Sequence, residues 1–241
     1  MKAIAWGITG AGAFITESVE VIEEVARRGV KVTAFISRAG EAVLEYYGLK
    51  KRLESALRGS YPTGVVYESR EKPGFPSTGR LYLGVYDLVV VSPASMNTVG
   101  KIANAIADTL VTNLVMHAVK AGVPVYILPV DLYESRSKIP VWIDRSKCEA
   151  CEKCYAALAC PTQALMEHPY YKVVVDMSLC TRCYACTQAC PYNAIVFDLE
   201  VVVKPVSFYV NIIEKLKLIP GIHVIDNPSR VLELLVAELR K

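Results

Sequence analysis

Hydrophobic positions in the first 140 residues alternate between short apolar runs and longer segments in which apolar residues recur with a helical period. One of the helical segments, Thr98–Ala121, is predicted to have a break near Asp108 and Thr109. Strands that alternate with helices are typical of a parallel sheet with crossover helices, so we predict an α/β, Rossmann-like fold. The apolar runs predict five strands, at Ala3–Thr9, Val30–Ile36, Val65–Tyr67, Asp87–Val91 and Val123–Leu128.

The C-terminal part of the chain returns to the same pattern. Asn211–Leu218 is amphipathic, Gly221–Ile225 predicts a strand, and a final helix is predicted to begin at Pro228 or Ser229. One strand and one helix cannot bury their apolar faces alone, so we expect both to pack on the first sheet. An independent C-terminal hairpin is the alternative. The chain is thus predicted to divide into a first part, an inserted module and a returning segment, at residues 1–140, 141–203 and 204–241.

All eight cysteines fall inside the inserted segment, in two runs of nearly identical spacing. The runs are written C-x2-C-x2-C-x5-C-P and C-x2-C-x2-C-x3-C-P, and the second is the bacterial ferredoxin signature for a four-iron cluster. The sequence therefore predicts a ferredoxin-type α+β module with two [4Fe–4S] clusters. The first run is Cys148, Cys151, Cys154 and Cys160; the second is Cys180, Cys183, Cys186 and Cys190.

A short loop can direct three thiolates at the corners of a cubane, and the fourth must come from elsewhere in the fold. In two-cluster ferredoxins the last cysteine of each run binds the other cluster. This rule assigns Cys148, Cys151, Cys154 and Cys190 to one cluster, and Cys160, Cys180, Cys183 and Cys186 to the second.

The repeat extends beyond the cysteines. Val141–Cys154 aligns with Val173–Cys186, 32 positions later, and an aspartate and a serine recur inside both segments. After the last cysteine of each run the offset becomes 30, because the first loop is two residues longer. Self-similarity at a fixed period indicates a duplicated unit with approximate twofold symmetry.

Two other uses of cysteine fit the sequence less well. A disulfide framework needs an oxidising compartment, but Met1 and Lys2 lead directly into a core-like strand, without a charged and apolar leader. Zinc prefers two C-x2-C pairs to two triplets that each end in Cys-Pro. We therefore expect the protein to be located in a reducing cytoplasm.

Composition restricts the class of protein. The chain has 241 residues, 53% of them hydrophobic, and a net charge of +3, which is typical of a well-packed globular protein without a strong bias toward nucleic acid. No apolar stretch reaches the roughly 18 residues that a membrane span requires. The densest basic group, Lys50-Lys51-Arg52, is interpreted as a solvated helix face.

Three of the predicted strands end in residues that suit a phosphate. Ligands of parallel sheets bind at the carboxyl ends of strands, where helix N-termini offer free amides, and small or hydroxyl residues allow close approach. The segments are Thr9-Gly10-Ala11-Gly12, Ser37-Arg38 and Ser92 to Thr98.

A nicotinamide dinucleotide is disfavoured at these strand ends. Gly10 and Gly12 do not complete G-x-G-x-x-G, because Ile15 stands at the third glycine position. The second strand ends in Ser37, not in the acid that binds a nicotinamide ribose, although Arg38 leaves a 2′-phosphate contact open.

The segment Pro93-Ala94-Ser95-Met96-Asn97-Thr98 and the helix after it resemble the P-A-S-x-N-T motif of the homo-oligomeric FMN flavoprotein superfamily, over Ala3 to about Asp131. The resemblance implies FMN and a homo-oligomer built from trimers, with sites at subunit interfaces. It places Gly10, Ala11, Gly12 and Ser37 near the phosphate and ribityl chain, and Ser95, Met96, Asn97 and Thr98 along the phosphate and isoalloxazine side. Ser92 and Asp131 complete the predicted FMN-binding set.

Two departures limit the transfer of activity from this superfamily. Its decarboxylases use a histidine near the third strand and a P-x-M-N clasp, whereas this chain has only three histidines and Pro129-Val130-Asp131 at the clasp position. We do not expect decarboxylation. His117 is interpreted as a packing or surface histidine, Lys72–Tyr82 as either a substrate-side loop or an ordinary surface loop, and the sequence assigns no catalytic residue.

Iron–sulfur clusters carry single electrons, whereas a flavin takes two. A chain that holds both can convert one-electron transfer into two-electron transfer. This arrangement resembles the archaeal iron–sulfur flavoproteins that complete tetrahydromethanopterin biosynthesis by reducing a pterin. The resemblance implies a low-potential donor such as a ferredoxin and a dihydropterin substrate. A pure electron carrier between protein partners is the alternative; flavin prenyl transfer, which has no use for clusters, ranks third.

Overall fold

The computed structural model describes residues 3–148 and 151–239. Residues 1, 2, 240 and 241, which belong to the first and third predicted segments, lie outside the described residues. The strands are β1 (Ala3–Ile8), β2 (Lys31–Ile36), β3 (Gly64–Tyr67), β4 (Leu88–Ala94), β5 (Val125–Pro129), β6 (Ser135–Ile143), β7 (Leu165–His168), β8 (Lys172–Val175), β9 (Ile195–Val203) and β10 (Ile222–Val224).

The helices alternate with these strands in the first half of the chain and again near its end. Two short 3-10 turns, Glu68–Arg70 and Pro76–Leu81, follow β3. The α-helices are α1 (Ile15–Arg27), α2 (Arg38–Tyr46), α3 (Lys50–Ala56), α4 (Met96–Ala103), α5 (Leu110–Lys120), α6 (Tyr155–Leu158), α7 (Ala185–Ala189), α8 (Ser207–Leu216) and α9 (Arg230–Leu239). None of the helices within the described ranges is long and apolar enough to cross a bilayer.

Six strands form one parallel sheet in the order β10-β5-β4-β1-β2-β3, so the predicted α/β, Rossmann-like class is confirmed. All six residues of β1 and all seven of β4 are buried, because helices cover both faces of the sheet. One hydrophobic cluster, around Trp6 and Ile22, packs α1 on the first face. A second cluster, around Val89 and Leu114, packs α4 and α5 on the other face.

The predicted break in the helical segment after β4 is present. Helix α4 ends at Ala103 and α5 begins at Leu110, with Thr109 as its N-cap. The Thr109 side chain accepts a hydrogen bond from the Thr112 backbone N–H, and the Thr112 hydroxyl accepts one from the Thr109 N–H. This reciprocal capping box supplies partners for two backbone donors that would otherwise lack them at the start of the helix.

The C-terminal elements lie on the large sheet. β10 pairs in parallel with β5, and Val231 of α9 is buried in the cluster that also contains Val19 of α1. Ile213 and Leu216 of α8 are buried in the cluster on the opposite face. The exact boundaries near residues 140 and 203 stay a prediction.

The cysteine-rich part forms two antiparallel pairs, β6 with β9 and β7 with β8. Their shared core contains Val141, Ile143, Leu165, Val173 and Ile195. Val141 lies opposite Phe197 in the first pair, and Val173 lies opposite Glu167 in the second. Because Val141 and Val173 are the matching positions of the repeat, the two pairs are equivalent in register.

Helices α2 and α3, of which the sequence indicated only the basic group at Lys50, attach the cysteine-rich part to the sheet. The hydroxyl of Tyr46 donates to the Val141 carbonyl oxygen at 2.8 Å, and that of Tyr47 donates to the Lys138 carbonyl oxygen at 2.6 Å. The predicted solvated helix face is present at Lys51 and Arg52, which are exposed, but Lys50 is partly buried. Its ammonium lies 2.8 Å from Glu41 Oε1 and its side chain is 20% exposed, and hydrogen bonds to Glu41 and Glu45 raise its pKa.

Substitution of one helical glycine is expected to destabilise the fold. A Cβ at Gly40 in α2 would lie 2.6 Å from the Ile8 carbonyl oxygen, whereas one at Gly100 in α4 would meet no atom within 4 Å. We expect Gly40→Ala to lower the free energy of unfolding by about 1–3 kcal/mol through overpacking. The matched control Gly100→Ala should raise it by about 0.5–1 kcal/mol, because alanine restricts the unfolded chain. Thermal unfolding followed by circular dichroism measures both, and equal midpoints for the two variants would contradict this account.

Candidate functional site

The carboxyl ends of four neighbouring strands form the site edge, which we define as the ends of β5, β4, β1 and β2. The structure brings the predicted segments together there: Gly10 to Gly12 follow β1, Ser37 follows β2, Ser95 to Thr98 follow β4, and Asp131 follows β5. The connections reverse direction between β1 and β4, and parallel sheets bind ligands at such a switch point.

Thr9, which the sequence analysis did not include in the binding set, joins two of these segments. Its hydroxyl donates to the Pro93 carbonyl oxygen at 2.8 Å and accepts from the Ser95 backbone N–H at 2.8 Å. Only 1% of Thr9 is exposed. A hydroxyl at the last position of a buried strand was the sequence signal that could have revealed it, because a buried hydroxyl must find partners.

The glycine loop after β1 contacts α2 at Ala39, and it also contacts Tyr47, the residue that follows α2. A Cβ at Gly12 would clash with the Tyr47 hydroxyl oxygen, so a side chain here would displace Tyr47. Since Tyr47 also donates to β6, the loop is connected through Tyr47 to the strand that leads into the cysteine-rich part. The absence of a side chain at position 12 lets Tyr47 pack against the loop.

Ser37 is buried and is the N-cap of α2, where its hydroxyl oxygen accepts from the Gly40 N–H at 3.0 Å. Asn97 is exposed, and Met96 packs partly against the second hydrophobic cluster. Thr98 is buried, with its hydroxyl oxygen 3.3 Å from that of Ser95. Burial raises the pKa of the Asp131 carboxyl.

Ser92 is the exception in the predicted binding set. Its side chain is fully buried, with Oγ 2.7 Å from the Ser18 Oγ on α1, and its carbonyl oxygen accepts from the Trp6 indole N–H at 2.8 Å. The Ser92 hydroxyl thus connects β4 to α1 in the interior, and its predicted contact with the ligand stays a prediction.

His117 belongs to a packing arrangement on α5. Its Nδ1 lies 3.1 Å from the Thr78 hydroxyl oxygen, and its ring lies 5.1 Å from that of Tyr82. Thr78 is fully buried and also donates to Asn113. This part of the Lys72–Tyr82 segment packs against α5, and both roles considered for the segment stay predictions.

The first group of thiols gathers cysteines from both runs. Burial raises the pKa of Cys148, the positive charges of Lys172 and Arg145 oppose this increase, and the neighbouring thiols of Cys154 and Cys190 add to it. Thiols from both runs thus act on Cys148, and the crossed assignment of ligands stays a prediction.

The second group mirrors the first. Burial raises the pKa of Cys186, and the nearby thiols of Cys180 and Cys160 add to the increase. At Cys160 burial acts in the same direction, but hydrogen bonds from Leu165, Thr162 and Ala164 outweigh it and lower the pKa. Amide donors around a sulfur favour the thiolate, the form that binds metal.

The chemistry of these groups fits clusters. All eight cysteines are free thiols. In residues 3–148 and 151–239, no three His, Cys, Asp or Glu side chains converge closely enough to hold a single metal ion. The two runs have ferredoxin-type spacing and not two C-x2-C pairs, which suits iron–sulfur ligation better than zinc.

The site edge likewise fits FMN. It offers hydroxyls, backbone amides and the N-terminal end of α4, which suit a phosphate, and the residue after β2 is a serine instead of an acid. Gly10, Ala11, Gly12, Ser37 and Ser95 to Thr98 would hold the cofactor.

Comparison with known proteins supports both parts. Residues 1–138 match the family model described as Flavoprotein, and residues 173–196 match the 4Fe-4S binding domain. The chain spans nearly the whole of one curated relative: it is 42% identical over 237 residues to the dihydromethanopterin reductase (acceptor) of Methanosarcina mazei, covering 97% of this chain and 98% of that protein.

A second relative and a solved structure agree with this result. The chain is 41% identical over 168 residues to the dihydromethanopterin reductase (acceptor) of Methanocaldococcus jannaschii, which covers 68% of each protein. Its fold is similar to that of Burkholderia xenovorans DmrB in complex with FMN, described as a cubic protein cage for redox transfer. The TM-score is 0.64 at 21% identity, covering 99% of this chain and 96% of that one.

The site edge, the ferredoxin-type cysteine runs and the sequence identity with a curated relative over nearly the full length lead to one conclusion. The chain is an FMN and iron–sulfur oxidoreductase that belongs to the Flavoprotein family, and within it to the dihydromethanopterin reductases (acceptor).

Proposed function

We propose that this protein takes single electrons from a low-potential donor such as a ferredoxin, passes them through two [4Fe–4S] clusters to FMN, and reduces a pterin. The substrate is dihydromethanopterin and the product tetrahydromethanopterin. The observation that carries the proposal is the presence, in one chain, of two ferredoxin-type cysteine runs and a parallel sheet that matches the Flavoprotein family. The shared identity with pterin reductases supports the choice of substrate.

The two kinds of cofactor, when bound, convert one-electron transfer at the clusters into two-electron transfer at the flavin. The residues of the chain position them. Thr9 connects the loops after β1 and β4, Ser37 fixes the start of α2, and the N-terminal end of α4 faces the same edge.

The cysteine-rich part is fixed relative to this edge by Tyr46 and Tyr47. Residues on both sides of the contact line a cleft that includes Lys50, Glu54, Met177 and Cys180. The group of thiols that contains Cys180 therefore faces α2 and α3, whereas Cys151 lines a separate pocket formed by residues of the cysteine-rich part alone. This arrangement suits the Cys180 group as the cluster nearer to the flavoprotein part.

We also propose that the protein is cytoplasmic and forms a homo-oligomer built from trimers. The superfamily resemblance and the cage described for Burkholderia xenovorans DmrB support this proposal. Asn97 is exposed at the site edge, so a neighbouring subunit can reach the same cofactor. The alternative, an electron carrier that acts only between protein partners, uses the same cofactors and differs in the final acceptor.

The cluster count gives the first prediction. Anaerobically purified protein should contain about eight iron atoms and about eight sulfides per chain, because each cubane holds four of each. Cys190→Ser should alter the electron paramagnetic resonance spectrum of the cluster held by Cys148, Cys151 and Cys154, since the ligation is crossed. Iron content near four atoms in the unmodified protein would show that one cluster is absent.

The flavin site gives the second prediction. Loss of one amide hydrogen bond costs about 1.4 kcal/mol, so Asn97→Ala should weaken FMN binding about tenfold. Asn104→Ala, at the other end of α4 where the side chain donates only to the Gly100 carbonyl oxygen, is the matched control and should leave FMN binding unchanged. Flavin fluorescence titration of the apoprotein measures both dissociation constants. Equal affinities in the two variants would remove Asn97 from the proposed site.

The substrate gives the third prediction. When dithionite-reduced protein is mixed anaerobically with a panel of dihydropterins in a stopped-flow instrument, dihydromethanopterin should restore the oxidised flavin absorption band and yield an equivalent of tetrahydropterin. Chromatography of the quenched mixture identifies the product. If no dihydropterin reoxidises the flavin while oxidised ferredoxin does, the protein is an electron carrier instead.

A further inference from the structure

The two cysteine loops are repeats, but one matching position differs in charge. Glu167 lies opposite Val173 in the β7–β8 pair, and Phe197 lies opposite Val141 in the β6–β9 pair. Because Val141 and Val173 correspond in the repeat, Glu167 and Phe197 correspond as well. The first loop therefore has a carboxylate where the second has an aromatic ring.

The carboxylate of Glu167 accepts a hydrogen bond from the backbone N–H of Cys154, at 2.7 Å to Oε1. Cys154 is the third cysteine of its run, and Cys186 is its partner in the repeat. In the second loop the position that matches Glu167 is Phe197, which has no carboxylate to accept such a bond. Only the first loop therefore offers a carboxylate at this position.

This difference has a predictable effect on a bound cluster. Amide N–H groups directed at cysteine sulfur stabilise the more negative, reduced cluster and raise its reduction potential. An amide bonded to a carboxylate provides less of this stabilisation, and the negative charge nearby disfavours the added electron. Both effects of Glu167 lower the potential.

Positive charges near the same group act in the opposite direction. Lys172 and Arg145 interact with Cys148, and Arg145 also donates to the Val173 carbonyl oxygen at 2.8 Å. Glu167 is exposed, so solvent screens its charge. The effect of Glu167 is therefore a change in the reduction potential that these positive charges also influence. The carboxylate does not by itself determine which cluster has the lower potential.

We propose that Glu167 is a positioning residue that selectively lowers the reduction potential of the cluster held by Cys148, Cys151, Cys154 and Cys190. It does so by binding the Cys154 N–H and by placing a carboxylate beside that cluster. The inference rests on the proposed function, because it requires both clusters.

Two substitutions separate the two effects. Glu167→Gln keeps an oxygen that can accept from the Cys154 N–H and removes only the charge, whereas Glu167→Ala removes both. We expect Glu167→Gln to shift one of the two reduction steps upward by about tenfold in equilibrium constant, or about 59 mV for a one-electron couple. Glu167→Ala should shift the same step further, and the other step should not move.

The measurement is an anaerobic redox titration of the full-length holoprotein, followed by electron paramagnetic resonance. The matched control is Glu200→Gln, an exposed carboxylate of β9 whose ion-pair partner is Arg136 at 3.6 Å; it should leave both steps unchanged. In a Cys151→Ser background, an oxygen ligand changes the spectrum of one cluster only and so identifies the step that moves.

The outcomes separate this inference from the function on which it rests. Protein with fewer than two reducible clusters would refute the proposed function. With two clusters present, the inference is overturned if Glu167→Gln moves neither step, moves both equally, or moves only the step that Cys151→Ser does not mark. If Glu167→Ala fails to retain its cluster, the near-isosteric Glu167→Gln still decides the question.

Discussion

Parallel pairing of β1 with both β2 and β4 is the constraint on which the site depends. Every strand of the large sheet runs in the same direction, so the segments that follow β1, β2, β4 and β5 all emerge at one edge. Burial of β1 and β4 on both faces leaves their ends as the places where polar groups can reach a ligand. Thr9 then connects two of these segments through a single buried hydroxyl.

The cysteine-rich part depends on a different constraint. Three thiolates from one loop cannot complete a cubane, so the predicted ligation gives each loop the last cysteine of the other. With clusters bound, this crossed ligation would hold the two halves of the repeat together. Tyr46 and Tyr47 fix the resulting unit to the sheet by donating to the backbone of β6.

Duplication gives the protein two similar loops, and their surroundings make them different. The Cys180 side faces α2 and α3 across a cleft, whereas Cys151 lines a pocket made by its own part of the chain. Glu167 and Phe197 differ at matching positions of the two strand pairs. The two proposed clusters would therefore take distinct positions in the proposed electron path and have distinct potentials.

The sequence by itself determined the fold class and the helix break at Thr109, and it predicted the cysteine ligands, because periodicity and spacing are local properties of the chain. It also predicted which strand ends carry phosphate-binding residues. The tertiary structure decided what depends on distant residues: that Ser92 points inward to Ser18, that Thr9 joins two loops, and that Lys50 is paired with Glu41. It also decided that Glu167 meets the Cys154 amide. These contacts arise from the packing of elements far apart in the chain, and no local pattern records which partner a buried polar group will find.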